Sequence, residues 1–291
     1  MIKKPLIFAL LIFFSLSVML IYQLFKFNDG RLHLVFCDVG QGDAIFIRTS
    51  EGENILVDGG PDDSVLNCLS RHLPFWDKTL QTVILTHPHA DHLTGLISVI
   101  KRYSLMSYET ENQKNQGVEA KILQDSLALK NLSATYLKKG DRLTNKANFN
   151  IQILWPSADV VENSNKNSSN NGFDLDLNGL SVISLVSYGN FRALLTGDAE
   201  FVTGEKVGEE AGAIDVLQVP HHGSKTGLTQ VFLDKIKPKF AVISVGKNNK
   251  YGHPSQEALS LLNDNNIKFL RTDKNKDIEI ISDGKSWWVA N

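Results

Sequence analysis

Pro5 to Phe25 is a run of 21 residues without a charge, dense in leucine, isoleucine and phenylalanine. Lys3 and Lys4 precede it and Lys26 follows. As a helix it extends roughly 30 Å at about 1.5 Å per residue, the thickness of a bilayer's hydrocarbon core. A soluble helix normally hides one apolar stripe, and this segment is apolar on every face. A cleaved signal peptide has a shorter apolar core and a small-x-small site; here Ser15 and Ser17 sit inside the run and no such site follows. Residues 1–29 are therefore expected to be an uncleaved, single-pass membrane anchor, and residues 30–291 one domain. Lys3, Lys4 and the terminal amine favour an N-inside orientation, which Lys26 and Arg31 dilute. That orientation puts the domain on the extracytoplasmic side of the cell membrane.

The domain is long enough for a substantial core. A net charge of −2 excludes a chain that binds nucleic acid by overall basicity. Cys37 and Cys68 lack C-x-x-C spacing, which argues against a thiolate zinc site or a redox motif. Cys37 reads as a core residue of a strand-like run. A Cys37–Cys68 bridge stays open in an oxidising compartment, without connectivity evidence.

Leu32–Cys37, Ala44–Arg48 and Asn54–Val57 are short apolar or alternating runs separated by glycine-, aspartate- and asparagine-rich turns, and predict consecutive antiparallel strands. A helix over Asp62–His72 ends before Pro74, and the strand Thr82–Leu85 and a helix to about Arg102 follow. Lys114–Leu129 predicts a helix, and Thr135–Leu137 and Phe149–Leu154 predict strands. Ser157–Asn178, rich in Asn and Ser with no apolar repeat, predicts a flexible surface insertion. Leu180–Val186 and Phe191–Thr196 read as a hairpin around Tyr188-Gly189-Asn190. Next come a helix near Glu200–Glu209, the strand Asp215–Val219, a helix near Thr229–Ile236 and the strand Phe240–Val245. A helix capped by Ser255 runs to Leu262, and the strands Ile267–Arg271, Ile278–Ser282 and Trp287–Val289 finish the sheet. Strands alternating with helices, plus hairpins, give a mixed α/β layered sandwich.

The chemistry gathers at strand ends. Val83-Ile84-Leu85 runs into Thr86-His87-Pro88-His89-Ala90-Asp91-His92, which holds three of the eight histidines in six positions. His87 and His89 alternate by two, so on an extended loop both imidazoles point the same way, and Pro88 favours that geometry at His87. Asp91 and His92 turn back toward the same point from the start of the next helix. Imidazoles and carboxylates together suit zinc or a similar divalent ion. Other strand ends deliver Asp198, the pair His221-His222, and His253. Asp58, beside Gly59 and Gly60 at a strand end, reads either as a group orienting a metal ligand or as a turn aspartate. Ile55–Gly59 and Leu194–Asp198 echo one another, each running a buried strand into aspartate and glycine. His33 and His72 read as structural.

These motifs, with Asp38-Val39-Gly40-Gln41-Gly42-Asp43, Val219–Lys225 and Ser244–Ser255, resemble the metallo-β-lactamase superfamily, and within it the extracytoplasmic domain of the ComEC family of DNA-uptake channels. The resemblance covers about Arg31 to the C-terminus. It implies an α/β fold, a four-layer αββα sandwich with a metal site at one edge, preceded here by one transmembrane helix. Carried over by motif, His87, His89, Asp91, His92 and Asp198 are metal ligands, Asp198 bridging when two ions are bound. His253 takes the place of the last histidine ligand. His221 and His222 line the substrate side, although one of them can be that ligand instead. The superfamily's further histidine before the Gly-Asp aspartate is missing; Asn178 is the nearest polar residue. One or two divalent ions, zinc or manganese, are therefore expected. One anchor cannot form a channel, so the expectation is a stand-alone relative.

In the implied reaction, a hydroxide attacks phosphorus in line, Asp91 orients the water, and His221, His222 or Lys225 donates to a phosphate or leaving-group oxygen. Between His221 and Gly252 stand six lysines (Lys225, Lys235, Lys237, Lys239, Lys247 and Lys250) against one acid, Asp234, a local excess of +5. Lys225, Lys247 and Lys250 are the candidate contacts to DNA or another polyanionic phosphodiester. No protein partner is legible. The main expectation is a membrane-anchored phosphodiesterase or nuclease. Its rivals are a hydrolase of another extracytoplasmic substrate (a cell-wall phosphodiester, a lactone or a β-lactam) and a DNA-binding module with little turnover.

Overall fold

Strand alternation decides the architecture. In β1 (Leu32–Phe36), Leu32, Leu34 and Phe36 enter one core while Val35 enters another, so this strand is covered on both faces. The computed structural model describes residues 4–112, 117–144, 148–167 and 177–290. Its first sheet joins β1 to β2 (Ile45–Arg48), β3 (Asn54–Val57), β4 (Thr79–Leu85), β5 (Ser104–Thr110), β6 (Ala134–Tyr136), β14 (Ile278–Ser282) and β15 (Trp287–Val289), in the order β15-β14-β1-β2-β3-β4-β5-β6. The second joins β7 (Arg142–Thr144), β8 (Phe149–Trp155), β9 (Ile183–Tyr188), β10 (Phe191–Leu195), β11 (Val216–Gln218), β12 (Phe240–Ile243) and β13 (Lys268–Arg271), in the order β13-β12-β11-β10-β9-β8-β7.

Leu34, Phe36, Ile47 and Ile84 of the first sheet meet Ile151, Val186, Phe191 and Val242 of the second in a dry middle layer. The outer face of the first sheet is closed by α2 (Ser64–His72), α3 (Ala90–Arg102) and α4 (Val118–Leu129), through residues such as Leu69, Leu96 and Leu123. The second is closed by α6 (Phe201–Ala211), α7 (Gln230–Ile236) and α8 (Gln256–Asp264), through Val207, Phe232 and Leu262. The four-layer αββα sandwich is the expected one. Ahead of it, α1 (Lys4–Phe27) is the one helix among the described residues long and apolar enough to cross a membrane.

Five local expectations are corrected. The segment Ser104–Thr110, for which no element is anticipated above, is β5, parallel to β4; its small and polar residues hide the pattern because only its last three residues are buried. Arg142–Thr144 is a further strand, β7, too short to carry a periodic signal. Ser157–Asn178 is not wholly irregular: Ala158–Asn167 is a helix (α5) in which Val161 is buried and Val160 packs on the core under the second sheet's helices, and 168–176 lie outside the described residues. The last three strands do not finish one sheet. β13 ends the second sheet, and β14 crosses to pair antiparallel with β1. The helix expected from Lys114 begins at Val118, with 113–116 outside the described residues.

Cys37 and Cys68 form a disulfide that ties the end of β1 to α2, with Cα atoms 5.7 Å apart.

A candidate metal centre between the two sheets

β3, β4 and β5 run parallel, as do β10, β11 and β12, so their C-terminal ends release six loops at one edge. Backbone hydrogen bonds bind two of these loops, those after β3 and β4, to the β1–β2 turn. Gly59 N–H donates to the His92 carbonyl at 2.7 Å, Gly60 N–H to the Asp43 carbonyl at 2.7 Å, and Asp43 N–H to the Asp91 carbonyl at 3.3 Å. Gly42, at φ +148°, makes this possible, because a Cβ there would collide with the Asp91 carbonyl. Gly95 does the same for α3, whose second turn presses against Gly59.

Asp43, His92, Asp198 and His222 are buried, and each offers a ligand atom within 4.8 Å of the others. Their approach is held from behind. His92 Nδ1 faces Asp58 Oδ2 at 2.8 Å, and His222 Nδ1 faces the Ser244 carbonyl at 3.0 Å. Those partners fix the tautomers with both Nε2 atoms turned inward. Gln218 donates to Asp43 Oδ2 at 2.7 Å, leaving Oδ1 for the interior. Asp43 Oδ1, His92 Nε2, Asp198 Oδ1 and His222 Nε2 then have no hydrogen-bond partner. Buried polar atoms are rarely left so, and four converging ones match the donor set of a divalent cation.

Asp198 has two faces. Oδ1 lies 3.3 Å from His92 Nε2 and 3.4 Å from His222 Nε2, whereas Oδ2 lies 3.9 Å from His87 Nε2 and 3.6 Å from His221 Nε2. His89 Nδ1 stands 3.0 Å from His87 Nε2. Asp91 Oδ2 is 3.5 Å from His222 Nε2. A cavity of about 360 Å³ opens on this cluster, walled by His89, Asp91, Asn178, His221, Tyr251 and His253 among others.

The electrostatics follow from crowding. Burial pushes Asp43 up to about 6, even with His222 and His92 beside it. Burial disfavours a charged His222, yet Asp198 and Asp43 outweigh it and raise the imidazole to about 9. Burial alone would raise Asp91; His222 and His92 bring it to about 2, so it stays a carboxylate at neutral pH. His87 is held well below the usual range by burial and by His92. A bound cation supplies the compensation that imidazolium protons otherwise give, and displaces them.

The expected residues divide by position. His87, His89, Asp91, His92 and Asp198 come together. Asp58 stands behind His92, also accepting from Thr86 N–H at 2.8 Å and Thr86 Oγ1 at 2.7 Å. His222, not His253, shares the buried cluster. His253 is displaced because its loop leaves it against Tyr251 (ring centroids 5.8 Å apart) and His221 (5.9 Å). Asn178 lines the cavity, but the groups behind His87 are Thr86, whose Oγ1 is 3.1 Å from His87 Nδ1, and Ser181, 3.2 Å from it and accepting from Asp198 N–H at 3.3 Å. Lys225, Lys247 and Lys250 are exposed, Lys250 lying 5.1 Å over the Tyr251 ring at the cavity mouth. Lys235 and Lys239 of the basic segment are paired, with Glu209 at 2.9 Å and Asp215 at 2.8 Å. Asp43 figures in the sequence reading only within a motif, and no site role is assigned there to it, to Ser181 or to Gln218. For Asp43 a signal existed: an acid closing a two-glycine turn at a strand end.

Residues 37–119 match the family model described as Metallo-beta-lactamase superfamily. The chain is 29% identical over 272 residues to ComE operon protein 3 of Bacillus subtilis (strain 168), covering 87% of this chain and 33% of that protein. It is 30% identical over 229 residues to Recombination protein 2 of Haemophilus influenzae, covering 77% of this chain and 26% of that protein. The chain thus spans a third or less of the length of these two relatives. Among solved structures, the metallo-beta-lactamase fold protein YhfI from Bacillus subtilis shares the fold, with a TM-score of 0.55 at 12% identity, covering 89% of this chain and 100% of that one. With the motif match over residues 37–119, the shared fold and a histidine–aspartate centre at the sheet edge, this chain carries a metallo-β-lactamase domain with a metal-dependent hydrolase fold, similar to that of the competence proteins.

Proposed function

We propose that this chain is a membrane-anchored, extracytoplasmic phosphodiesterase whose substrate is DNA. The observation that carries the hydrolytic part is the set of four converging, unpartnered ligand atoms on Asp43, His92, Asp198 and His222. A divalent ion held there supplies a water of lowered pKa and offsets charge on a phosphate oxygen. With His87 and His89 on the Oδ2 side of Asp198, the donor set extends to a second ion.

The remaining steps belong to the chain itself. Asp91, a carboxylate at neutral pH that is partly open to the cavity, accepts a hydrogen bond from the attacking water and orients it. His221 lines the same cavity and, in this reading, donates to the leaving oxygen. Lys225, Lys247 and Lys250 favour a polyanion at the rim. DNA is preferred within the phosphodiesters because one relative is named a recombination protein and the motifs resemble a DNA-uptake family. Attachment through α1 completes the reading, with the orientation set by Lys3 and Lys4.

The test uses the full chain in detergent, with its metal content measured. Linear DNA, bis-p-nitrophenyl phosphate and nitrocefin are offered with zinc and with manganese. DNA cleavage that disappears in His89→Ala and Asp198→Ala supports the proposal. DNA binding without cleavage under either metal reduces the protein to a binding module, and cleavage of nitrocefin alone moves it to another substrate class.

A further inference from the structure

The edge of the first sheet opposite the metal centre carries a second organised set of residues. α1 ends at Phe27, which is buried against the domain. Its carbonyl has no partner within the helix. It accepts instead from Arg48 Nε at 2.9 Å, and the same guanidinium donates to Asn54 Oδ1 at 3.1 Å and lies 3.8 Å from Asp77 Oδ2. Asn54, fully buried, donates to Asp77 Oδ2 at 2.8 Å and to the Thr79 carbonyl at 3.0 Å. Helix end, β2, β3 and the loop before β4 are thereby joined.

That loop carries Phe75 and Trp76, packed edge to face with centroids 4.8 Å apart, yet 58% and 42% exposed. Phe75 borders the same surface depression as Gln23, Lys26 and Phe27. On this edge too, the Arg31 guanidinium lies 5.1 Å over Trp288, itself 36% exposed. Outside α1, among the described residues, three of the five exposed large aromatic side chains therefore gather around the helix exit. The uncharged run of α1 stops at Phe25, so Lys26 marks the level where hydrocarbon gives way to headgroups. Aromatic rings flanked by lysine and arginine at that depth suit the bilayer interface.

We propose that this edge is a lipid-resting surface: Phe75, Trp76 and Trp288 sit in the bilayer interface, and Arg48 fastens α1 to the sheet so that the metal centre stands clear of the membrane. β4 begins beside the collar at Thr79 and ends at the histidine loop; its seven residues span about 23 Å at ~3.3 Å each. A centre at that height meets polymers in the surrounding space, not phosphodiesters within the lipid.

The inference rests on α1 spanning a bilayer, and the experiment separates the two. Full-length protein is reconstituted into phosphatidylcholine–phosphatidylglycerol vesicles brominated near the top of the acyl chains, floated, and its tryptophan emission recorded. The double variant Trp76→Phe/Trp288→Phe is expected to lose the quenchable emission by about threefold or more, leaving the remote Trp155 and the core-packed Trp287 unquenched. Failure of the wild type to float removes the premise. Flotation with wild-type quenching in the double variant overturns the lipid-resting surface alone. Cleavage enters neither readout, so the reading of the metal centre stands or falls separately.

Discussion

The two edges of the first sheet use similar residues to opposite ends. At the anchor edge, buried polar groups satisfy one another: Arg48 holds the Phe27 carbonyl and Asn54, Asn54 holds Asp77, and His33 lies between Glu279 at 2.7 Å and Asp29 at 3.0 Å. At the site edge, four buried ligand atoms converge without hydrogen-bond partners. The contrast repeats within the site. Asp58 and Asp198 each follow a buried strand next to glycine, but Asp58 takes three hydrogen-bonding contacts while Asp198 Oδ1 has none. A closed network holds a fold together, and an open one awaits a ligand. Dissatisfaction, not the presence of charge, distinguishes a binding centre from a structural one.

The sharpest way to break this contrast is Asp198→Ala. Removing a group that faces both halves of the centre is expected to lower kcat/KM on bis-p-nitrophenyl phosphate by about 10³-fold or more. Calorimetry of the chelated variant should meanwhile find little loss of stability. Asp58→Asn probes the other half of the echo: by loosening the orientation of His92 it is expected to weaken metal affinity about 10–100-fold, read by competition with a chelating dye. At the α1 edge, Asn54→Ala leaves Asp77 and the Thr79 carbonyl short of a donor. It should cost about 1–3 kcal/mol in denaturant unfolding while activity per folded molecule is unchanged.

The smallest effect concerns His33. Burial disfavours its charge, but Glu279 and Asp29 overcome this and raise its pKa above 6.5. A raised histidine contributes fully below 6.5 and loses that contribution as pH climbs through its folded value. Glu279, held below 4.5 chiefly by His33 against the effect of burial, loses its share as pH falls below that value. The stability gap between wild type and His33→Gln should be widest between 4.5 and 6.5 and close toward alkaline pH. Its size is expected to be about 1 kcal/mol or less. A gap that widened with pH would contradict the closed-network account.

Much of this was legible because strands and ligand loops are local. The period-two runs locate β1 to β4, and H-x-H-x-D-H after Val83-Ile84-Leu85 locates one wall of the centre. What escaped was non-local or lacked a periodic signal. β5 is a strand because β4 lies beside it, not because its own residues alternate in hydrophobicity. His222 and His253 both stand in plausible motifs; the choice between them depends on where the loops after β11 and β12 come to rest, and the Ser244 carbonyl turns His222 inward. Asp43 stands 155 residues from Asp198 in the chain and meets it only when the two sheets close on one edge.

The sequence by itself determined the long apolar helix, the layered α/β class and the metal-binding character of the histidine loop, since each is written in contiguous residues. The tertiary structure alone decided which carboxylates are left open and which are closed. It also decided that the centre and the end of α1 lie at opposite ends of the same strands. Hydrogen-bond satisfaction is a property of what surrounds a group in space, and no stretch of chain carries that in itself.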